Sequence, residues 1–571
     1  MKKKFYQPVQ WLLIVLLGIF SLSFAADKVN YLNIFYEAEA YFSYDDYTEA
    51  LPLYNRVLEK YPDNHYLFYK IGRCLLNIPY AKSQSIQYLQ KACLKTPLVI
   101  KPGSFKADKV PYDAIFYLAD AYRVNNELEK AISTYKNFLN TADQEVFDIN
   151  LVNDQISACA RAMIMEKHPV VTNEVNLGNI INSRFSETSP VVSNDETVMV
   201  YAVNLQFYQA VYYSKKINGQ WSVPENIIPD LKVDGDCLPV CISSDGKELY
   251  FYRFDKSLGD LYVSNRVNDK WSKIRKLNSN INTKYWESHA CLTTDGKILY
   301  FSSNRPGGYG GLDIYKSERT SDDNWGPAIN CGPVINSKYN DDAPYLTSND
   351  KRLFLSSFGH ETMGGYDIFY SDKDSSGSWG KIINPGFPVN TTDDEMFICP
   401  VNSGKSGYIY KFDLNGQGKY DICRIDIPEI AKTNSATATK VNSIIDSVFK
   451  KGKTNTNPSF TDKVDVLDKS GVIKDKKLVS HTRIYNISSS SIKSGEVKKL
   501  NIDTITKATI VSSKDSLEDK ELANPKNIDK TTTQSTYLFG LSAIGCGALY
   551  GGIILLFLLI IAFYLKRKKN N

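Results

Sequence analysis

The strongest constraint on the fold of this chain is a segment of about fifty residues that occurs five times between residues 187 and 428. The full pattern of a copy is a carboxylate, an Asp-Gly type turn, a Leu-Tyr-Phe strand, a Gly-rich hairpin, an Asp-Ile-Tyr strand and a Trp. The first and fifth copies keep this pattern less completely. Four strands per copy predict the blades of a β-propeller. The copies begin at Glu187, Asp236, Glu287, Asp341 and Asp394.

The two ends of the repeat region indicate how the ring closes. The fifth copy stops after its third strand, near Tyr420 to Cys423. Residues 176–182, which precede the first copy, match the fourth-strand ending at 330–336. We therefore predict that this segment completes the last blade, because a closed ring leaves no long sheet edge unpaired. The pattern favours five blades and leaves six open.

The best preserved copy runs from 295 to 315 and reads Asp-Gly-Lys-Ile-Leu-Tyr-Phe-Ser-Ser-Asn-Arg-Pro-Gly-Gly-Tyr-Gly-Gly-Leu-Asp-Ile-Tyr. It resembles the TolB-type, WD-like repeat of bacterial envelope proteins. The resemblance implies an all-β, TolB-like propeller over residues 174–428. The turns at 194–196 and 403–405 depart from this repeat, but the strands around them keep the pattern.

The apolar period changes to 3.6 between residues 30 and 168, which predicts helices. Small and large residues recur there at the spacing of tetratricopeptide repeats, as at Ala38 and Ala50 in the first copy and Ala119 and Ala131 in the last. The pattern predicts an all-α solenoid of three helix pairs. A further helix near 148–167 is expected to cap the stack against the propeller.

Such stacks resemble peptide- and protein-binding solenoids, in which the first helix of each pair lines a concave face. A face with aromatic anchors and mixed charge would bind a segment of a partner protein. The alternative is that part of this face packs on a neighbouring domain. The predicted groove residues are Phe35, Glu39, Phe42, Tyr69, Arg73, Phe116, Asp120 and Arg123.

The carboxylates that begin the five copies are the candidate ligand site of the propeller. Equivalent positions in successive blades converge around the axial channel, so Glu187, Asp236, Glu287, Asp341 and Asp394 could form an axial ring. Such a ring could bind a cation or a basic loop of a partner. The alternative is that each carboxylate caps its own blade by accepting bonds from backbone amides.

Both ends of the chain predict export and membrane attachment. Three lysines, a short apolar run and Ser-Phe-Ala predict a signal peptide at 1–25. Residues 537–565 are uncharged and long enough to cross a bilayer, and the basic residues that follow place the tail 566–571 in the cytoplasm. The polar segment 429–536 predicts a disordered linker. We therefore expect a single-pass cell-membrane protein whose bulk lies in the periplasm; a tail that is cleaved later is the alternative.

Small residues in the predicted membrane helix indicate how two copies could associate. Ala543, Gly547 and Gly551 recur at four-residue spacing, which lets two membrane helices approach closely. The alternative is the general abundance of glycine in membrane spans.

Composition and motifs argue against several classes of function. Sixty-eight basic residues are interspersed with 63 acidic ones, which argues against nucleic-acid binding. The ten cysteines contain no CxxC pair, so we expect at most one disulfide and core packing for Cys241 and Cys399. The five histidines are scattered, and no hydrolase, zinc or phosphate-loop motif is found. We expect no enzyme activity, no metal and no cofactor.

The order of the domains resembles the envelope scaffold proteins of Bacteroidetes-type bacteria. These include the peptidoglycan-linked type IX secretion subunit, and the resemblance covers residues 30–428. That subunit's OmpA-like domain has no counterpart here. The prediction is a non-catalytic, membrane-tethered scaffold that binds other envelope proteins, within a secretion or assembly complex. One alternative is a module whose propeller mouth binds a glycan, peptide or cation; another is a propeller enzyme, which would need paired carboxylates or His in the channel.

Overall fold

A computed structural model shows a helical region followed by a five-bladed β-propeller. It describes residues 30–95, 110–141, 147–205, 208–255, 258–321, 324–428 and 443. Within these ranges no helix has both the length and the apolar character needed to span a bilayer. The segments predicted as signal peptide, membrane helix with Ala543, Gly547 and Gly551, and tail lie outside the described residues, as does the predicted linker apart from Ser443.

The described part of the N-terminal region forms three helix pairs and one further helix. Polar residues cap several of these helices: Asn30, Asp46, Asn64 and Asp148 each accept bonds from backbone amides of the first turn. A short 3₁₀ turn, Pro79–Ala81, lies between the helices of the second pair. The helices are α1 (Tyr31–Ser43), α2 (Tyr47–Lys60), α3 (His65–Asn77), α4 (Lys82–Cys93), α5 (Ala114–Val124), α6 (Leu128–Thr141) and α7 (Ile149–Met165).

Small residues let the paired helices approach each other, as the repeat pattern predicts. Ala38, Ala50, Ala119 and Ala131 are fully buried. At Gly72 of α3 a Cβ would lie 2.6 Å from Cγ of Leu89 in α4. Larger side chains fill the space between the pairs and give the helical region its own apolar core.

The propeller has five antiparallel sheets, which confirms the predicted number of blades. Strand β1 (Glu174–Asn176) precedes the first blade. Blade 1 contains β2 (Ser186–Val192), β3 (Val198–Asn204), β4 (Gln209–Ile217), β5 (Gln220–Trp221) and β6 (Glu225–Asn226), and the short helix α8 (Ile228–Leu231) follows it. Blade 2 contains β7 (Cys237–Ile242), β8 (Glu248–Asp255), β9 (Leu258–Val267), β10 (Lys270–Trp271) and β11 (Arg275–Lys276).

The remaining three blades repeat this arrangement. Blade 3 contains β12 (Glu287–Leu292), β13 (Ile298–Ser303), β14 (Asp313–Ser321), β15 (Asn324–Trp325) and β16 (Ile329–Asn330). Blade 4 contains β17 (Asp341–Leu346), β18 (Arg352–Ser357) and β19 (Asp367–Asp372), with isolated bridges from Tyr370 to Ile383 and from Lys373 to Trp379. Blade 5 contains β20 (Cys399–Val401), β21 (Ser406–Phe412) and β22 (Tyr420–Asp426).

The segment before blade 1 closes the ring. Strand β1 pairs antiparallel with β22, with Val175 opposite Arg424. The side chain of Asn182 donates to the carbonyl oxygen of Ile422 and accepts from the amide of the same residue. The last blade is therefore built from both ends of the repeat region, as the sequence predicts.

The first strands of the blades pack around the axis of the ring. One equivalent position on each strand is buried there: Val191, Cys241, Cys291, Tyr345 and Cys399. The nine cysteines in the described part of the chain are free thiols. The space around the axis of the ring is thus filled by side chains from all five blades.

Glycines allow one blade to contact the backbone of the next. A Cβ on Gly310, Gly364 or Gly418 would overlap the carbonyl oxygen of Tyr339, Thr392 or Phe185, respectively. Each of these glycines stands three residues before an aspartate that is the first or second residue of a third strand. The Gly-rich hairpin of the repeat is therefore a packing requirement between blades.

Candidate functional site

Three of the predicted ring carboxylates cap their own blades. Glu187, Glu287 and Asp341 are fully buried, and each accepts a bond from a Ser or Thr four residues earlier. In blade 3, for example, Thr283 donates to Glu287 from its amide at 2.9 Å and from its hydroxyl at 2.8 Å. These bonds hold the loop that enters each blade.

The other two predicted ring residues do not occupy the equivalent position. In blade 5 the carboxylate bonded to the hydroxyl four residues earlier is Glu395, whose partner Thr391 lies 2.7 Å away, and Asp394 instead accepts from the amide of Tyr366 at 2.9 Å. The choice of Asp394 was therefore off by one residue, because three acidic residues follow one another there. In blade 2, Asp236 is exposed with φ of 53°, so this blade has no buried cap at that residue.

The three capping glutamates lie in an environment that favours their protonated form, and burial raises the pKa of Glu287. Burial raises the pKa of Glu187 to about 7. Burial also raises the pKa of Glu395 well above its usual range, and the neighbouring Asp367 adds to the rise. Among the described residues no group of three or more His, Cys, Asp or Glu is arranged to hold a metal ion.

Most of the predicted groove residues contact other residues of the helical stack. Phe35, Phe42 and Tyr69 are buried. The Arg73 guanidinium lies 4.9 Å from the ring centroid of Phe42 and 4.2 Å from that of Tyr117. Glu39 accepts from the hydroxyl of Tyr54 at 2.5 Å and from the ammonium of Lys70 at 2.9 Å. This part of the face is filled by its own side chains.

The remaining part of the face packs on the propeller, which is the alternative considered from the sequence. Arg123 is buried, lies 3.5 Å from Asp120 and donates to the carbonyl oxygen of Thr392. Arg161 of α7 donates in the same way to the carbonyl oxygen of Thr362. The stack and the propeller are thus joined by buried arginines that bind backbone carbonyls.

Replacing Arg123 with methionine is expected to weaken this junction by about 2 kcal/mol, because the charged bond to the carbonyl oxygen of Thr392 is lost. We expect the helical signal in circular dichroism to be lost at a lower urea concentration than the tryptophan signal of the propeller. Arg184→Met, at an exposed position, is the control. An Arg123 variant that unfolds like the control would contradict this role.

A cavity of about 800 Å³ lies between the stack and the propeller. Arg73, Phe116 and Asp120 of the predicted groove line it, together with Asp394 of the predicted ring. Phe35, Glu39, Phe42, Tyr69 and Arg123 are absent from its lining, as are the other four ring residues. The structure thus brings part of both predicted sites to one cavity.

A continuous row of aromatic rings lines this cavity. Tyr80 of the 3₁₀ turn is exposed, and its ring centroid lies 5.8 Å from that of Phe412. The row continues to Tyr420 at 5.8 Å, Tyr410 at 6.0 Å and Phe397 at 6.1 Å. Tyr410 and Phe412 share a face of β21 because strand side chains alternate, and Tyr420 pairs with Phe412 from β22. We call these five residues the aromatic ladder.

A buried histidine–aspartate pair lies at the inner end of the ladder. The ring of His289 lies 6.4 Å from that of Phe397, and its Nδ1 is 2.9 Å from Oδ1 of Asp342. Asp342 also accepts from the Ser288 hydroxyl at 2.6 Å and from the Ala343 amide at 2.7 Å. Burial favours a raised pKa, but His289 and these donors outweigh it and lower the pKa of Asp342 to about 2. The pair joins the first strands of blades 3 and 4.

Four buried polar atoms of the cavity wall have no hydrogen-bond partner among the described residues. They are Nε of Arg73, Oδ1 of Asp113, Oε1 of Gln155 and Oγ1 of Thr188. Gln155 and Thr188 are 3% and 5% exposed. Buried polar atoms usually find partners, so these atoms indicate a place for a ligand that can donate and accept hydrogen bonds.

Neither the ladder nor these polar atoms were predicted from the sequence. The alternation of aromatic residues at 408, 410 and 412 was a usable signal for part of the ladder. No sequence pattern could reveal that Tyr80 of the stack reaches Phe412, because the two are brought together only by the packing of the domains.

A profile of the tetratricopeptide repeat family matches residues 33–64 and 113–143, the first and third helix pairs. The search of curated proteins gave no match. Among solved structures, TolB from Acinetobacter baumannii is 17% identical over 43% of this chain and 56% of its own, with a TM-score of 0.30. A protein described as TolB from Agrobacterium tumefaciens is 13% identical over 44% of this chain and 78% of its own, with a TM-score of 0.28.

A thermostable family-43 glycoside hydrolase also matches, at 11% identity over 44% of this chain and 93% of its own, with a TM-score of 0.30. At these scores the matches add nothing to the blade count, which comes from the strand pairing itself. The resemblance to the type IX secretion subunit stays a prediction. The chain thus combines tetratricopeptide repeats with a five-bladed propeller that has TolB among its structural neighbours.

Proposed function

We propose that this protein is a non-catalytic scaffold that binds other proteins of the cell envelope, within a secretion or assembly complex. The observation that supports it most is the pair of tetratricopeptide matches in helices that pack directly on a propeller. Helical repeats and propellers are both common protein-binding architectures. Because buried arginines join the two domains, a partner protein would bind the stack and the propeller in a fixed arrangement.

The outer side of the first helix offers one surface for such a partner. Leu32 and Tyr36 of α1 are 38% and 54% exposed and lie one helical turn apart on the same face. Large apolar side chains at adjacent exposed positions are a feature of protein-binding surfaces. The concave face is less available, since much of it is filled or packs on the propeller.

Site-specific photo-crosslinking in living cells tests the scaffold. A crosslinking amino acid at Tyr36 is expected to capture a discrete set of envelope proteins, and the same residue at Tyr309, an exposed propeller position, serves as a control. The double variant Leu32→Ser, Tyr36→Ser should lose the partners and keep its melting temperature. Adducts with only the protein itself, or the same diffuse adducts at both positions, would argue against the scaffold.

We further propose that the scaffold is tethered to the cell membrane with its two domains on the exported side. The predicted signal peptide and the uncharged segment 537–565 support this arrangement. Alkaline phosphatase fused after residue 440 is expected to be active, because this enzyme folds only on the exported side. A fusion after residue 571 should be inactive. The opposite pattern, or inactivity of both, would overturn the proposed topology.

The buried His289–Asp342 pair does not lead us to propose catalysis. A propeller enzyme would need such a pair, but here both residues are almost fully buried and Asp342 already accepts from three donors. Its bonds are better explained by the joining of two blades.

A further inference from the structure

The cavity between the stack and the propeller has the size of a small-ligand site. Its volume of about 800 Å³ falls within the range of sites that enclose small molecules, roughly 300–1,000 Å³. Both domains supply its wall, so the site exists only where the stack packs on the propeller. A ligand of this size could be an oligosaccharide of a few units or a short peptide.

The aromatic ladder indicates a ligand with flat apolar faces. Its rings follow one another at 5.8 to 6.1 Å, from the exposed Tyr80 to the buried Phe397. Aromatic rings carry negative faces that attract polarised C–H groups. Tyr420 is nearly perpendicular to its neighbours, at 76° to Phe412 and 67° to Tyr410, whereas Tyr80 and Phe397 are tilted by 35° and 36° from theirs. The C–H groups of successive sugar units could therefore contact individual rings of this row.

The unpartnered polar atoms favour a ligand that can both donate and accept hydrogen bonds. Asp113 and Gln155 offer acceptors, Arg73 offers a donor at Nε, and the Thr188 hydroxyl can donate or accept. A sugar hydroxyl group can rotate to donate to an acceptor or to accept from a donor. The polar atoms of the wall therefore suit a ligand rich in hydroxyl groups.

The charges of the wall restrict the ligand further. Eight carboxylate residues and four cationic residues line the cavity. Two of the cations are already paired, Lys82 with Asp393 and Lys411 with Glu174. An acidic polysaccharide would be repelled by this excess of carboxylates.

We propose that this cavity binds an uncharged oligosaccharide, whose rings stack on the aromatic ladder and whose hydroxyl groups bond to Asp113, Gln155 and Thr188. This binding site is additional to the protein-binding surfaces of the scaffold. Its outer end lies at Tyr80 and its inner end at Phe397, beside the buried His289–Asp342 pair.

Calorimetric titration of the full-length chain tests the proposal. The probes are four uncharged tetrasaccharides, cellotetraose, maltotetraose, xylotetraose and chitotetraose, together with tetralysine as a basic peptide. At least one tetrasaccharide should bind saturably with one site per chain. Tyr420→Ala should weaken that binding about tenfold by removing a stacking ring, whereas Tyr309→Ala, outside the cavity, should leave it unchanged.

Thr188→Val separates binding from folding. This change removes a hydroxyl group that has no partner among the described residues, so the melting temperature should stay equal or rise. Affinity for the tetrasaccharide should fall about fivefold, the effect of one lost hydrogen bond. Binding that neither Tyr420→Ala nor Thr188→Val weakens would overturn the proposal. So would binding of tetralysine alone, or no binding of any probe.

Discussion

Gly310→Ala is expected to destabilise the propeller by about 3 kcal/mol, at the upper end of the usual cost of overpacking. The added methyl group would overlap the carbonyl oxygen of Tyr339 in the loop that leads into blade 4. That oxygen also accepts a bond from the amide of Gly311, and the hairpin amides of Tyr309 and Gly310 donate to Asp313. The methyl group can be accommodated only if the hairpin moves and these bonds lengthen.

Urea unfolding followed by tryptophan fluorescence measures this effect well, because five of the six tryptophans lie in the propeller. Gly326→Ala is the matched control in the same blade. A Cβ at Gly326 would meet its nearest neighbour at 3.4 Å, an ordinary contact, so we expect a change below about 1 kcal/mol. Equal midpoints for the two variants would show that the contact between blades 3 and 4 does not require glycine.

His289→Phe is expected to cost about 3 kcal/mol at pH 7, because it leaves a buried carboxylate without one of its hydrogen-bond partners. The new ring fills a similar volume beside Phe397, but Asp342 would lose its contact with Nδ1 of His289. The hydroxyl of Ser288 and the amide of Ala343 would still donate to it. Lys381→Ala is the control, because Lys381 pairs with Glu361 at 4.0 Å but both side chains are exposed, so its loss should cost less than about 1 kcal/mol.

The difference between the His289 variant and the wild type should depend on pH. In the wild type the pKa of Asp342 is about 2, below its unfolded value of about 3.9, so the ionised carboxylate stabilises the fold above about pH 4. This stabilisation of roughly 2–3 kcal/mol is lost as the pH falls through 2. In the variant, burial without His289 should raise the pKa of Asp342 above 3.9, so its folded form gains a proton on acidification. Urea midpoints should therefore converge between pH 6 and pH 3; a constant difference would exclude this assignment.

Local sequence patterns were enough to predict most of the architecture. The recurrence of Leu-Tyr-Phe and Asp-Ile-Tyr predicted the blades, and the match between 176–182 and 330–336 predicted the closure that β1 and β22 make. The alanines at 38, 50, 119 and 131 predicted the helix pairs in the same way. These features depend on residues close in sequence or on equivalent positions of a repeat. The periodicity of the sequence is therefore enough to predict them.

The candidate site was predicted only in part. Helical periodicity placed Arg73, Phe116 and Asp120 on the face that lines the cavity, but it could not show that Arg123 of the same face binds Thr392. The repeat likewise predicted the positions of the capping carboxylates. In blade 5, however, three consecutive acidic residues could each be the cap, and only the bond from Thr391 identified Glu395. A pattern states which face a residue occupies but not what that face contacts.

The sequence by itself determined the two domain types, their order and the way the ring closes, because each follows from local spacing and repeated patterns. Only the tertiary structure decided between five and six blades, brought Arg123 to the carbonyl oxygen of Thr392, placed Tyr80 and Phe412 in one aromatic ladder, and paired His289 with Asp342. The physical reason is that these contacts join residues far apart in the chain or on different blades. Their positions depend on how whole elements pack, which no local periodicity encodes.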